Sequence, residues 1–143
     1  FAHTGDFDGD GAADLHVQRG SQNWVRYSTG SAAVINFGLG TDLLTMQDYS
    51  TGIDDDIIAM RSSLWFVRNS ATGAVSPYSF TWGPTTGRTR VPADYDGDGL
   101  ADIAVYIQSN GFWWVHRTSD NATVLYKWGG QAGDLAVNGF AVN

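Results

Sequence analysis

Short apolar and β-branched runs recur along the chain, separated by segments rich in Gly, Asp, Ser and Thr. Leu15–Val17, Ile57–Met60 and Ile103–Ile107 are the most apolar of them. In the last third, four runs follow one another: Arg90–Ala93, Asp102–Ile107, Phe112–Arg117 and Thr123–Trp128. Between them lie an Asp/Gly segment, Gln108–Gly111 and Thr118–Ala122, all turn-forming. Runs this short, with aromatic and β-branched side chains and Gly/Asn/Asp punctuation, predict strands joined by tight turns. No stretch approaches the roughly 18 apolar residues of a membrane-spanning helix.

The pattern repeats. Asp6-Phe7, Asp48-Tyr49 and Asp94-Tyr95 are spaced by 42 and 46 residues. Eight residues after each comes a further aspartate: Asp14, Asp56 and Asp102. A strand-like run follows, then a tryptophan (Trp24, Trp65, Trp113), then an aromatic-Gly step (Phe37-Gly38, Trp82-Gly83, Trp128-Gly129). Four strands in a unit of about 46 residues is the size of a propeller blade. The expected fold is all-β: three blades of four antiparallel strands plus one extra strand. Blade 1 covers about 1–41, blade 2 about 42–88 and blade 3 about 89–133, with 134–143 starting a fourth. Propellers close with roughly four to eight blades. The expected partners are therefore copies of the same chain or further blades of a longer one. A head-to-tail contact gives a ring if it closes and a filament if it does not.

Composition narrows the function. All fifteen carboxylates are aspartate; Lys127 and seven arginines oppose them, for a formal charge of -7. An acidic chain with one lysine does not suit phosphate neutralisation, so no nucleic-acid partner is expected. Cysteine is absent, which excludes disulfides, thiolate zinc sites and cysteine nucleophiles. Missing glutamate, a single lysine and eighteen glycines disfavour helix.

The charge is concentrated in two loops. Asp6-Phe7-Asp8-Gly9-Asp10-Gly11-Ala12-Ala13-Asp14 and Asp94-Tyr95-Asp96-Gly97-Asp98-Gly99-Leu100-Ala101-Asp102 share the form D-x-D-G-D-G-x-x-D. Carboxylates at positions one, three and five converge when a chain curls around a hard cation; Gly at six permits the turn, and position seven offers a carbonyl. Oxygen-only ligands at this spacing suit Ca²⁺. The expected ligands are Asp6, Asp8, Asp10, Ala12 and Asp14, and Asp94, Asp96, Asp98, Leu100 and Asp102. Position twelve is Val17 or Val105, so the closing glutamate of an EF-hand is missing and Asp14 and Asp102 close the sites instead. The alternative is a pair of solvated Asp-Gly turns. The middle loop, Asp48–Asp56, has Ser50 and Gly52 where the other two have aspartate, and no tight Ca²⁺ site is expected there. Asp48 is expected to cap the turn.

These loops, the strand after each, the Trp and the aromatic-Gly step resemble FG-GAP/VCBS repeats over nearly the whole chain. The resemblance implies calcium-binding propeller blades, as in integrin α-subunit heads and propeller lectins, with the acidic loop between the first two strands of a blade. It also implies an extracellular, secreted or surface-attached protein acting in adhesion or glycan binding, where abundant Ca²⁺ fills weak sites. Asn121-Ala122-Thr123 is a glycosylation sequon in a host that uses it.

For a ligand, the expected contact is carbohydrate on exposed aromatic rings. Trp24, Trp65 and Trp113 are expected mainly to fill the space between blades. Trp114 points away from Trp113 on the same strand, sharing its side with Phe112 and His116. That trio is the candidate recognition patch. Arg26, Arg68 and Arg117 end each third strand, with salt bridges to nearby aspartates as their expected role. Asp42 and Asp134 follow the aromatic-Gly steps and suggest turns. His3, His16 and His116 are scattered and form no catalytic motif, so no enzyme is expected. The alternative function is a structural subunit that assembles head-to-tail.

Overall fold

The computed structural model describes residues 2–76, 82 and 85–137. Among these the chain has no helix. Twelve strands form three four-stranded antiparallel sheets, each a meander in chain order. Blade 1 holds β1 (Ala2–Gly5), β2 (Asp14–Arg19), β3 (Gln22–Arg26) and β4 (Ala32–Asn36). Blade 2 holds β5 (Leu43–Gln47), β6 (Asp56–Arg61), β7 (Leu64–Arg68) and β8 (Val75–Ser76). Blade 3 holds β9 (Arg88–Arg90), β10 (Ile103–Ile107), β11 (Phe112–His116) and β12 (Thr123–Lys127).

The register is the same in each blade. Asp14 pairs with Gly5, Asp56 with Gln47 and Asp102 with Ala93, so each acidic loop links the first two strands from one fixed rung. The expected strand Arg90–Ala93 is interrupted at Pro92, which has no N–H to give the ladder. Its register nevertheless runs on: Arg90 faces Val105, the Val91 N–H donates to the Ala104 carbonyl (3.0 Å), and Ala93 bridges Asp102. In the expected fourth blade, Asp134–Val137 joins no strand, and 138–143 lie outside the described residues.

The core follows from this register. β6 and β10 are apolar on both faces and buried along nearly their whole length, as a continuous apolar run predicts. β2 alternates the other way: Asp14, His16 and Gln18 are buried while Leu15, Val17 and Arg19 are exposed. The chain forms two compact units, Phe1–Thr81 and Trp82–Asn143. In the first, Phe7 and Val25 of blade 1 pack with Leu44, Met46, Ile57 and Ala59 of blade 2. In the second, Val91, Ala104, Tyr106 and Val115 form the cluster, flanked by Tyr95, Trp113 and Ala136.

One repeat position differs from expectation. β7 and β11 pair Trp65 with Met60 and Trp113 with Tyr106, but the corresponding residue of β3 is Asn23, opposite Gln18. Trp24 sits one residue on, faces the other side and is 41% exposed. Asn23 is fully buried; its amide donates to the Phe37 carbonyl at 2.9 Å, just as the Trp113 indole N–H donates to the Trp128 carbonyl at 3.0 Å. In blades 1 and 3 this position thus supplies a side-chain N–H to the carbonyl of the residue just after the fourth strand, from either residue type.

Candidate metal centres

Each acidic loop is shaped by its own backbone amides. In the first, the Asp6 carboxylate accepts the N–H groups of Asp10 (3.1 Å) and Gly11 (2.8 Å). Gly9 and Gly11 adopt φ of 70° and 84°, which side-chain-bearing residues avoid. In the third, Asp94 accepts from Gly97 (2.6 Å) and Gly99 (3.0 Å), with the same left-handed glycines. Position nine ties the loop to the blade. Asp14 is fully buried and accepts the Phe7 N–H and, from the β3–β4 turn, the Ser28 N–H, both at 2.8 Å. Asp102 repeats this with Tyr95 (3.0 Å) and Thr118 (2.9 Å).

The curl brings carboxylates together. Asp6, Asp8 and Asp14 each offer an oxygen within 4.8 Å of the others, and so do Asp94, Asp96 and Asp102. Two of the expected carboxylate ligands, Asp10 and Asp98, stand outside these groups. Asp10 accepts the Ser28 hydroxyl (2.5 Å) and the Ala12 N–H (2.8 Å), and Asp98 accepts the Leu100 N–H (2.8 Å). Ala12 and Leu100 are thus placed by their amides at position seven of each loop.

The electrostatics favour a cation. Partial desolvation, then the Asp10, Asp14 and Asp6 charges, push the Asp8 carboxyl above its ordinary range. Burial raises Asp102, against the pull of the Thr118 and Tyr95 amides, and Asp96 and Asp98 add to the rise. Asp10 is instead held low by the Ser28 hydroxyl and the Ala12 N–H. A divalent ion among these groups would replace mutual repulsion with attraction. The donor set is oxygen only. Each oxygen of Asp14, and Asp102 Oδ2, accepts one amide and keeps a second lone pair, while Asp102 Oδ1 also accepts the Thr118 hydroxyl at 3.4 Å. That chemistry fits a hard cation of the Ca²⁺ or Mg²⁺ kind.

The middle loop is built differently. Asp56 keeps the position-nine role, accepting the Ser70 N–H at 2.8 Å. Its other oxygen accepts the Ser50 hydroxyl (2.6 Å), and Ser50 accepts the Asn69 amide (2.6 Å). Neutral hydrogen bonds stand here where carboxylates gather in the other loops. Asp48 Oδ1 is buried with no hydrogen-bond partner among the described residues. Burial pushes the Asp48 carboxyl up to about 6, with Asp56, Asp55 and Asp54 contributing. The Ser50 N–H acts on it in the opposite sense, consistent with the expected cap.

Asp55 was not legible as a site residue. It belongs to blade 2 but holds the first loop: its carboxylate accepts the Asp6 N–H at 2.9 Å and its own N–H donates to the Asp6 carbonyl at 2.6 Å. Ser28 and Ser119 were missed as well; their hydroxyls hold Asp10 and Asp96 from the turn after β3 and β11. They stand one residue apart in the repeat, Ser28 at the place of Thr118, and they hold different loop positions, so no single spacing finds both.

The candidate ligand patch is partly covered. Phe112, Trp114 and His116 share one side of β11 and are all half-buried. Trp82 stands over two of them, edge-on to Trp114 (centroids 6.3 Å) and tilted against His116 (6.1 Å). Its indole N–H is anchored on the Thr123 hydroxyl. Lys127 lies 5.7 Å from the Phe112 ring. Of the three arginines, Arg117 pairs with Asp120 and approaches Asp96 at 3.9 Å, while Arg68 donates to the Asn69 carbonyl at 3.4 Å. Asp42 and Asp134 close equivalent turns, accepting the N–H of Leu39 (2.8 Å) and Gln131 (2.9 Å).

Compared with known proteins, the chain matches no family model and no curated protein.

Proposed function

We propose that the chain is a calcium-binding module of propeller-type blades that recognises an extracellular ligand, with carbohydrate the ligand class. One observation carries the calcium part: two oxygen-only triads, Asp6/Asp8/Asp14 and Asp94/Asp96/Asp102, recur at the same rung of different blades. The likeness of these loops to FG-GAP/VCBS repeats supports the same reading. A bound Ca²⁺ would supply charge neutralisation and a rigid loop. The protein's own residues do the rest: Asp14 and Asp102 fix each loop to the next turn of its blade, and Asp6 and Asp94 set the curl. Weak sites, with Kd about 10⁻⁴–10⁻³ M, are serviceable where Ca²⁺ is plentiful, which favours an extracellular place of action.

The ligand part rests on half-exposed aromatic side chains beside hydrogen-bonding groups, with Phe112, Trp114 and His116 as the candidate contact. Binding rather than catalysis is proposed, because His16 is buried against Asn23 and His116 is packed on Trp82.

Isothermal titration with Ca²⁺ tests the first part, with two sites expected and one lost in Asp8→Asn or Asp96→Asn. Absence of any heat or thermal shift at millimolar Ca²⁺ would sink it. A glycan array read with Ca²⁺ and with EDTA tests the second. Failure to bind any sugar removes the carbohydrate assignment and leaves the calcium sites standing.

A further inference from the structure

Blade 2 packs on blade 1 through one particular pair of faces. Phe7, Val25 and Phe37 come from blade 1; Ile57, Ala59 and Phe66 come from blade 2. The common register carries both faces onto other blades. The places of Ile57, Ala59 and Phe66 are taken in blade 1 by Leu15, Val17 and Trp24: Leu15 pairs with Arg26 as Ile57 does with Arg68, and Val17 with Trp24 as Ala59 does with Phe66. The places of Phe7, Val25 and Phe37 are taken in blade 3 by Tyr95, Val115 and Trp128. Here Trp113 pairs with Tyr126 as Asn23 does with Ile35, and Val115 and Trp128 lie two residues further along each strand.

The blade 1 copy of the face is open; the blade 3 copy is open at Trp128 and half-open at Tyr95, while Val115 is buried in a cluster that Ala136 packs against. Leu15, Val17 and Trp24 are 58%, 46% and 41% exposed, against 0% and 1% for Ile57 and Ala59 in the packed version. On blade 3, Trp128 is 79% exposed and lines a groove of roughly 410 Å³ with Tyr95, Trp113 and Tyr126. Contiguous exposed aromatic and aliphatic surface of this kind marks an interaction site.

The charges fit as well. In blade 2, Asp42 closes the turn before β5, and Arg61 at the end of β6 holds it with two hydrogen bonds of 2.8 Å. Asp134 closes the equivalent turn beside the open face of blade 3, with no cation bound to it among the described residues. The blade 1 counterpart of Arg61 is Arg19, at the end of β2; it lies over the Trp24 ring at 5.3 Å and has no carboxylate partner among the described residues. Blade 3 thus offers an aspartate that lacks its arginine, and blade 1 an arginine that lacks its aspartate.

We infer that the Leu15/Val17/Trp24 face of one copy of this chain docks on the Tyr95/Val115/Trp128 face of a second copy, repeating the packing of blade 2 on blade 1, with Arg19 of one copy bound to Asp134 of the other. Leu135–Val137, which join no strand and expose Leu135 and Val137 at 82% each, stand where the incoming first strand belongs and move aside. The contact is heterologous, so it propagates from copy to copy. It rests on the register and the exposed faces, and it is independent of the metal and ligand assignments.

Sedimentation velocity of the full chain at micromolar concentration is the test, run both in Ca²⁺ and in EDTA. Wild type is expected to sediment as assemblies larger than one copy. Val17→Glu and Trp128→Glu should each leave only single copies, because each spoils one face. Mixed together they should give a two-copy complex and nothing larger, since one good pair of faces remains. Arg19→Asp and Asp134→Arg should each weaken assembly, and combining them in one chain should restore it; this arm stands even if a face variant fails to fold. Far-UV circular dichroism confirms folding. A monomeric wild type, as expected if the faces are reserved for other blades or another partner, overturns the proposal. So does a Val17→Glu chain that assembles like wild type.

Discussion

At the scale of single residues, aspartate has several distinct jobs here. Asp14, Asp56 and Asp102 are buried tethers for backbone amides. Asp8 and Asp96 add charge at the loop tips; Asp96 accepts the Ser119 hydroxyl and the Asp98 N–H, bonds that an asparagine Oδ1 can also accept. Asp8→Asn or Asp96→Asn should therefore cost little in EDTA but lose the stabilisation that Ca²⁺ confers, about 2.7 kcal/mol when Ca²⁺ is a hundredfold above Kd. Thermal melts with and without EDTA measure this; equal melting temperatures in Ca²⁺ for wild type and variant would remove the metal from that loop. Asp48 does a job of the opposite sign. Its folded value of about 6 lies above the ordinary carboxylate value near 4, so the folded state binds the proton more tightly. Its contribution is most favourable at low pH and is lost as pH rises from about 4 through 6. Asp48→Asn should then stabilise at pH 7 by about 1 kcal/mol, after allowance for solvent screening of a half-exposed group, and the gain should vanish below about pH 4. Urea titrations across that range decide it. The positions of the acidic loops were legible because their spacing is a local property. The inward turn of Asp8 but not Asp10 was not, because Ser28, eighteen residues away, takes Asp10.

At the scale of elements, the four-strand unit was legible from alternating runs and turn residues, and the structure reproduces it three times. The misplaced Trp24 shows where such legibility stops. Trp24, Trp65 and Trp113 lie ten, nine and eleven residues after Asp14, Asp56 and Asp102, and that spread joins two different causes: the turn after the second strand is two residues longer in blade 3, whereas Trp24 is one residue past the matching place in blade 1. Blades 1 and 2 turn in two residues, between Arg19 and Gln22 and between Arg61 and Leu64; blade 3 needs four, between Ile107 and Phe112. A shift of one residue moves a side chain to the opposite face of a strand. The longer turn of blade 3 brings Gly111 against the aromatic-Gly step. Its φ is 71°, and a Cβ there would lie 2.3 Å from the Gly129 carbonyl oxygen. Gly111→Ala should cost about 2–4 kcal/mol, combining left-handed strain with overpacking against backbone. Gly87, at φ 65° with nothing near its missing Cβ, is the control: Gly87→Ala should cost only about 1 kcal/mol. Similar losses for the two in urea unfolding would show that the close approach is not a constraint.

At the scale of the whole molecule, charge and division into units act together. Two divalent ions would cancel more than half of the formal charge of -7, so calcium should relieve general self-repulsion as well as fix two loops. The two triads fall in different compact units, Phe1–Thr81 and Trp82–Asn143. Each unit can therefore respond to its own ion. The first loop has an added link through Asp55, which couples Asp6 to the start of strand β6 of blade 2; among the described residues the third loop shows no such clasp. Calcium should accordingly slow amide exchange across residues 6–14 and on into 55–61 of the first unit, while in the second the gain should stay within 94–102 and the Thr118 turn. Hydrogen exchange followed by mass spectrometry resolves these segments. With Asp8→Asn, the protection in the first unit should disappear and that in the second remain, and with Asp96→Asn the reverse. Loss of protection in both units from either single variant would mean that the ions act through one shared equilibrium, such as assembly or global folding, rather than as two local braces.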